Sequence, residues 1–266
     1  MDEMFKIKDL GFVHYFLGLK VIQTFFGLIL TQRKFIKELF DQFGDPNASP
    51  VTCPLDNIVK LHLDEGALFH NSTLYRQIVG KLNFLTNTRP DLAFAVQHLS
   101  QFMLTPRISH YQAVQHVLRY LKGQPNLGIL LHKAQDSRLE AYCDSDLAAY
   151  SHTRKFVSGY VIFFGKSIIS WKSRKQGTFA LSSAEAEYRS LRRLIAELAW
   201  LTRLLAEFTI DSVTLVLVKC DKQAAIYIAK NLVFHERTKY IEIDCYFVQA
   251  KLLDGLISLS YIPTAQ

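Results

Sequence analysis

Three carboxylates raise the question of chemistry in this chain. "LEAYCD" (Leu139 to Asp144) and "LVLVKCD" (Leu215 to Asp221) are short apolar runs that each stop on a Cys and then present an Asp. In open α/β sheets, functional side chains collect just past the carboxyl ends of strands, where Asp144 and Asp221 fall. For either residue alone, opening a turn or capping a helix is the commoner role. The third acid stands on a helix. In "LSSAEAEYRSLRRLIAELAWLTRLL" the apolar stripe runs Leu191, Leu194, Ile195, Leu198, Leu201 and Leu205, and four residues before Leu191 comes Glu187, which therefore heads the core-facing side.

A carboxylate at the top of a buried stripe is costly to desolvate without a cation. Asp144, Glu187 and Asp221 together would make a hard, oxygen-rich nest suited to Mg²⁺ or Mn²⁺. Two such ions about 4 Å apart activate a water and stabilise the leaving oxygen in phosphodiester hydrolysis. Lys219 or Lys222 is the alternative source of positive charge. Glu185 lies with Arg189, Arg192 and Arg193 on the opposite helix face, three residues after Ser182, and reads as the structural Glu of a capping box. Cys143 and Cys220 read as small apolar core residues.

The elements that must position these acids can be read from periodicity. Strands are expected over 138 to 143, 156 to 164 and 167 to 172, the last extending as far as 179 to 181, with a tight turn at Gly165. A long helix over 183 to 208 follows, then a strand over 213 to 220, helices over 222 to 231 and 240 to 253, and a half-buried edge strand in "LISLSYI". The result is an α/β fold with a mixed five-stranded sheet, a meander of three strands first and βα units after.

The first half is different. Phe12 to Leu30 is long enough to suggest a membrane span, yet His14, Lys20 and Gln23 interrupt it and Gly18 and Gly27 break it, so a β-hairpin fits better. No membrane partner is expected. Helices follow over 32 to 43, 73 to 85, 89 to 103 and 109 to 122, the first closed by Gly44, the third with Pro90 in its first turn, the last with a Ser109/Gln112 capping box. An irregular connector runs from Asp45 to about His70. The chain divides into residues 1 to 125, a linker over 126 to 137, and a second domain over 138 to 266.

The balance of 31 Lys and Arg against 24 Asp and Glu, a net charge of +7, suits a polyanionic partner without proving one. Cations cluster in "HTRKF" (Arg154, Lys155), "SWKSRKQ" (Lys172, Arg174, Lys175) and "FHERTKY" (His235, Arg237, Lys239), and Trp171 offers a stacking face. Each segment alone reads equally well as a solvated loop, and Trp171 as core. The four cysteines, Cys53, Cys143, Cys220 and Cys245, are scattered without a C-x-x-C pair, which argues for reduced thiols in a cytosolic or nuclear protein and against zinc. No secretion signal is visible.

"YRQIVGKLNFLTNTRPDLAFAVQHLSQFM", "AVQHVLRYLKG", "AYCDSDLAAY", "ISWKSRKQGTFALSSAEAEY", "KCDKQAAIYIAKN", "FHERTKYIEIDCYF" and "YIPTAQ" resemble the C-terminal part of copia-type LTR retrotransposon polyproteins over nearly the whole chain. The resemblance implies a ribonuclease H-like second domain that cuts the RNA strand of RNA/DNA hybrids during reverse transcription. Asp144, Glu187 and Asp221 match its first three metal-binding acids, with two Mg²⁺ (or Mn²⁺) ions if the site is complete. Asp146 and Glu185 match supporting positions. Residues 1 to about 125 would be the end of a reverse transcriptase palm, its thumb and a connection, and the remainder of the polyprotein a partner.

The departures are specific. "IKDLGFVHYFLG" resembles the palm element that follows the polymerase site, but no Asp-Asp pair occurs in the chain. The family continues past its last strand into a Gln-Leu-Ala-Asp sequence carrying a fourth metal-binding acid, whereas this chain stops at Gln266. Glu242 and Asp244 are not expected to substitute for it. Leu147 stands where the family often has Trp. A catalytically impaired remnant that only binds nucleic acid, or serves as a scaffold, is therefore the alternative to an active nuclease.

Overall fold

The computed structural model describes residues 11–56, 59–133, 138–146, 155–180, 182–210, 215–231 and 242–263. The apolar run near the start folds as expected into a hairpin, β1 (Tyr15–Phe16), β2 (Leu19–Thr24) and β3 (Gly27–Thr31). No helix among the described residues is long and apolar enough to cross a membrane. A strand then joins from within the expected linker: β4 (Ile129–His132) pairs antiparallel with β3. Four residues are too few to show a period, and the partner lies far upstream, so the sequence carries no local sign of this strand. The approach requires glycine at position 27, where a Cβ would stand 1.9 Å from the Leu131 carbonyl oxygen and φ is +145°.

Four helices pack on one another around a shared core: α1 (Arg33–Phe43), α2 (Ser72–Leu85), α3 (Ala93–Leu99) and α4 (Ile108–Gly123). Gly44 ends α1 with an ordinary φ of −84°, and its lack of a Cβ gives room to the Phe40 ring, which a Cβ would meet at 2.5 Å. The single helix expected over 89 to 103 is instead α3 flanked by 3₁₀ turns at Pro90–Leu92 and Ser100–Phe102. A polar contact stands at each break. Arg89, 1% exposed, turns inward to Asp91 and to the Gln124 carbonyl at 2.9 Å, and Ser100 Oγ donates back to the Val96 carbonyl at 2.7 Å. The cap of α4 also differs from expectation. Arg107 N–H donates to His110 Nδ1 at 3.0 Å, so this pair takes the place of Ser109 and Gln112, and His110 is buried with its other ring nitrogen 2.9 Å from the His62 carbonyl.

The second half forms β5 (Leu139–Asp146), β6 (Val157–Phe164), β7 (Ser167–Lys175), α5 (Ser183–Glu207), β8 (Val216–Cys220), α6 (Gln223–Lys230), α7 (Glu242–Leu253) and β9 (Ile257–Tyr261). The sheet order is β7-β6-β5-β8-β9, antiparallel through the meander and parallel from β5 to β9. β9 is an edge strand, as its alternation predicts. β7 stops at Lys175 and does not extend to 179 and 180, because Gln176 folds inward and donates to Ser158 Oγ at 2.9 Å and to the Ala186 carbonyl at 2.8 Å; Leu181 lies outside the described residues.

Buried apolar side chains form two clusters. One gathers Ile36 to Leu121 from α1 to α4; the other gathers Leu139 to Leu259 around α5. Leu191, Leu194, Ile195 and Leu198 are fully buried against β5 and β6, each worth roughly 1.5–3 kcal/mol of transfer free energy. This packing fixes the rotation of α5, and with it the direction of Glu187.

Candidate active site

Strand register brings the two aspartates together. Cys143 lies opposite Cys220 in the parallel ladder, so Asp144 and Asp221 follow on neighbouring strands, whose backbones in such a sheet run about 4.8 Å apart. Both cysteines are buried in the core, as expected. The hydrogen bond that Cys143 shares with Cys220, together with burial, holds the Cys143 thiol well above the usual thiol range.

Glu187 reaches the same point from the second turn of α5. It is 1% exposed, and neither carboxylate oxygen has a hydrogen-bond partner among the described residues. One atom each from Glu187, Cys220 and Asp221 lies within 4.8 Å of the others. Asp144 is exposed at the rim, outside this tight group, yet its charge still acts on Glu187. Burial first, then the charges of Asp144 and Asp221, push the Glu187 carboxyl up to about 8.

Of the two lysines that might neutralise the acids, only one enters the site. Lys222 Nζ is 3.1 Å from Asp221 Oδ2. Lys219 precedes the buried Cys220, so the pleat turns it to the other face of the sheet, where it pairs with Glu140 and Tyr142. Among the described residues, Asp221 therefore has a counter-ion and Glu187 has none of its own. A buried carboxylate with two orphaned oxygens, beside two further carboxylates, is a donor set that fits a hard divalent cation.

Several positioning residues have little sequence signature. Ser190 Oγ donates to the Asp144 carbonyl at 2.8 Å, tying α5 to the end of β5. Gln176, 1% exposed, ties the same helix to β6 through Ser158. The one hint in the sequence is a polar residue, Ser190, inside the apolar stripe three positions after Glu187. Ser182 caps α5 as expected, its Oγ accepting from Glu185 N–H at 3.2 Å, and Glu185 pairs with Arg189 at 2.6 Å. Asp146 is exposed at the end of β5. Asp244 pairs with Arg192 at 3.2 Å, and the Glu242 side chain lies outside the described residues, as does Leu147.

The basic candidates separate. Arg154, His235, Arg237 and Lys239 lie outside the described residues. Trp171 is not an open stacking face: its indole N–H donates to the Thr86 carbonyl at 2.9 Å, joining β7 to the helical half. Lys175 makes the same junction through Gln101 Oε1 at 2.8 Å. Lys155 bonds the Gly177 carbonyl and sits 5.2 Å from the Phe179 ring. Lys172 and Arg174 are exposed on β7. Sequence reasoning missed Arg193, a half-buried guanidinium that burial, Arg174, Arg192 and Arg189 hold below its usual value.

β5 runs on past the expected end at residue 143, because Asp144, Ser145 and Asp146 stay paired with β6, so Asp144 lies within the strand and only Asp221 follows its own. A five-stranded mixed sheet backed by a long helix, with acids toward the carboxyl ends of two adjacent strands and on that helix, defines a ribonuclease H-like domain preceded by a hairpin and a helical segment. A foamy viral protease-reverse transcriptase solved with an RNA/DNA hybrid shares this fold over 94% of the chain and 29% of its own, with a TM-score of 0.53 and 15% identity. No protein-family model matches. The retrovirus-related Pol polyprotein from transposon RE1 of Arabidopsis thaliana is 39% identical over 99% of the chain and 18% of its own length. That from transposon TNT 1-94 of Nicotiana tabacum is 34% identical over 99% and 20%. The chain belongs to the copia-type retrotransposon Pol polyproteins, and spans about a fifth of the length of these relatives.

Proposed function

We propose that the second half of the chain hydrolyses the RNA strand of RNA/DNA hybrids with two divalent cations, Mg²⁺ or Mn²⁺, as part of reverse transcription. The observation that carries this reading is Glu187, a buried carboxylate with both oxygens unpartnered, facing Asp221 and influenced by Asp144. When bound, such ions supply an activated water and neutralise the charge that develops on the leaving oxygen. Glu187 and Asp221 would hold them from within and Asp144 from the rim. Lys222 balances Asp221 until then, and Ser190 keeps the Asp144 backbone in register with α5. The 2′-hydroxyls of the hybrid's minor groove would mark the RNA strand. Lys172, Arg174 and Arg193 are the described cations proposed for phosphate contact. The scattered cysteines fit a reducing, intracellular setting, and the rest of the polyprotein is the proposed partner of the first half.

The test is cleavage of a labelled hybrid against metal concentration. The expected result is Mg²⁺- or Mn²⁺-dependent cutting of the RNA strand, lowered about a hundredfold or more by Asp144→Asn, a barrier increase of about 2.7 kcal/mol. Equal activity in that variant removes the reading. Salt-dependent hybrid binding without any cleavage would instead select the non-catalytic remnant.

A further inference from the structure

We propose that Cys220, Glu187 and Asp221 form a binding site for a single thiophilic divalent cation of the Zn²⁺ or Cd²⁺ class, which blocks the carboxylate site by occupying it. The inference rests on the reading of these carboxylates as a cation site and adds to it a sulfur ligand. Two observations carry it. Atoms of the three residues lie within 4.8 Å of one another, and Glu187, 1% exposed, aims two unpartnered oxygens into the same space.

The Cys220 sulfur shares a hydrogen bond with Cys143, which a thiolate can still accept, and makes a long contact of 3.9 Å with the Lys222 carbonyl, which a metal–sulfur bond replaces. Around a tetrahedral ion with bonds of about 2.0–2.3 Å, ligand atoms stand roughly 3.3–3.8 Å apart, so the site closes with a shift of about 1 Å. Sulfur contributes little to Mg²⁺, which prefers oxygen, but much to Zn²⁺ and Cd²⁺. This preference makes the site selective. On binding, the thiol proton passes to solvent and a sulfur lone pair to the ion. The Lys222 ammonium, 3.1 Å from Asp221, is the cation displaced.

The experiment titrates Cd²⁺ into the full chain in excess Mg²⁺ and reads the ultraviolet thiolate-to-cadmium charge-transfer band. A parallel series reads the rise in Tm on adding Mn²⁺. Cys53 is exposed and would give a background band, so Cys53→Ser is the reference protein. The expected result is one equivalent of band in the reference, its loss in Cys220→Ser and Cys220→Ala, and weaker binding in Glu187→Gln, which keeps the thiol. A band that survives both Cys220 substitutions, or none in the reference, overturns the proposal while a normal Mn²⁺ effect leaves the carboxylate reading standing. Absence of any Mn²⁺ effect in the reference sinks the carboxylate reading, and the cadmium band still decides the sulfur.

Discussion

At the residue scale, Glu187 governs both chemistry and stability. Its native carboxyl keeps a proton to about pH 8, whereas in the unfolded chain it ionises near 4.3. Below that lower value both states are protonated and burial carries no electrostatic penalty. Between the two values only the unfolded state has released the proton, so stability falls as pH rises, by up to about 1.4 kcal/mol per pH unit. Above pH 8 the loss is complete. We therefore expect denaturation at pH 6 and pH 8, without metal, to show a decline that Glu187→Gln removes and that Mn²⁺ offsets in the unsubstituted chain. A decline unchanged by the substitution would place the titrating group elsewhere. The existence of this carboxylate and its inward face were legible from spacing, since a 3.6-residue period puts Glu187 in line with Leu191 and Leu194. Its lack of a partner was not, because which lysine reaches which acid depends on the pleat: Lys222 found Asp221, and Lys219 found Glu140.

At the element scale, β4 and β7 make separate predictions. β4 depends on the absence of a side chain at position 27, so Gly27→Ala should lower stability by 1 kcal/mol or more, about what a strained backbone position costs, and should raise hydrogen exchange at Ile129 to His132. Unchanged exchange there would mean that the pairing does not require this approach. β7 exposes Lys172 and Arg174, and Lys172→Gln/Arg174→Gln should reduce the salt slope of hybrid binding by about 1 for each phosphate no longer neutralised. A double variant with the parent's slope would take β7 off the nucleic-acid face. Trp171 and Lys175, on the same strand, make a different contact because alternate residues of a strand face opposite ways, and those two meet α2 and the turn after α3.

At the scale of the whole molecule, the two halves meet along β7, and His132 N–H donating to Ser167 Oγ at 2.8 Å ties the β1–β4 sheet to β7 as well. Trp171→Ala removes the hydrogen bond to Thr86 and the ring from this junction. We expect urea unfolding followed by far-ultraviolet circular dichroism and by tryptophan fluorescence, from Trp171 and Trp200 in the parent and from Trp200 alone in the variant, to coincide in the parent and to separate in the variant, the two halves then melting independently. Coincident curves in both would show that the junction contributes little coupling. The hairpin leaves Phe12, Phe16, Phe25 and Phe26 between 61% and 92% exposed, an apolar surface that fits the proposed role of the rest of the polyprotein as the partner of this half.

What the amino-acid order determined alone was most of the elements that carry a local period. The long α5, the meander, the edge strand β9, the hairpin in place of a membrane span and the inward Glu187 all follow from which side chains recur every two or every 3.6 residues, whereas β5 runs two residues past Asp144. Tertiary structure decided what no window of sequence contains. It set β4 against β3, broke the expected 89 to 103 helix around a buried Arg89, turned Trp171 toward Thr86, and placed a sulfur beside two carboxylates. Each of these joins residues far apart in the chain, and their energies depend on desolvation and on which group happens to face which, quantities that exist only once the backbone has closed.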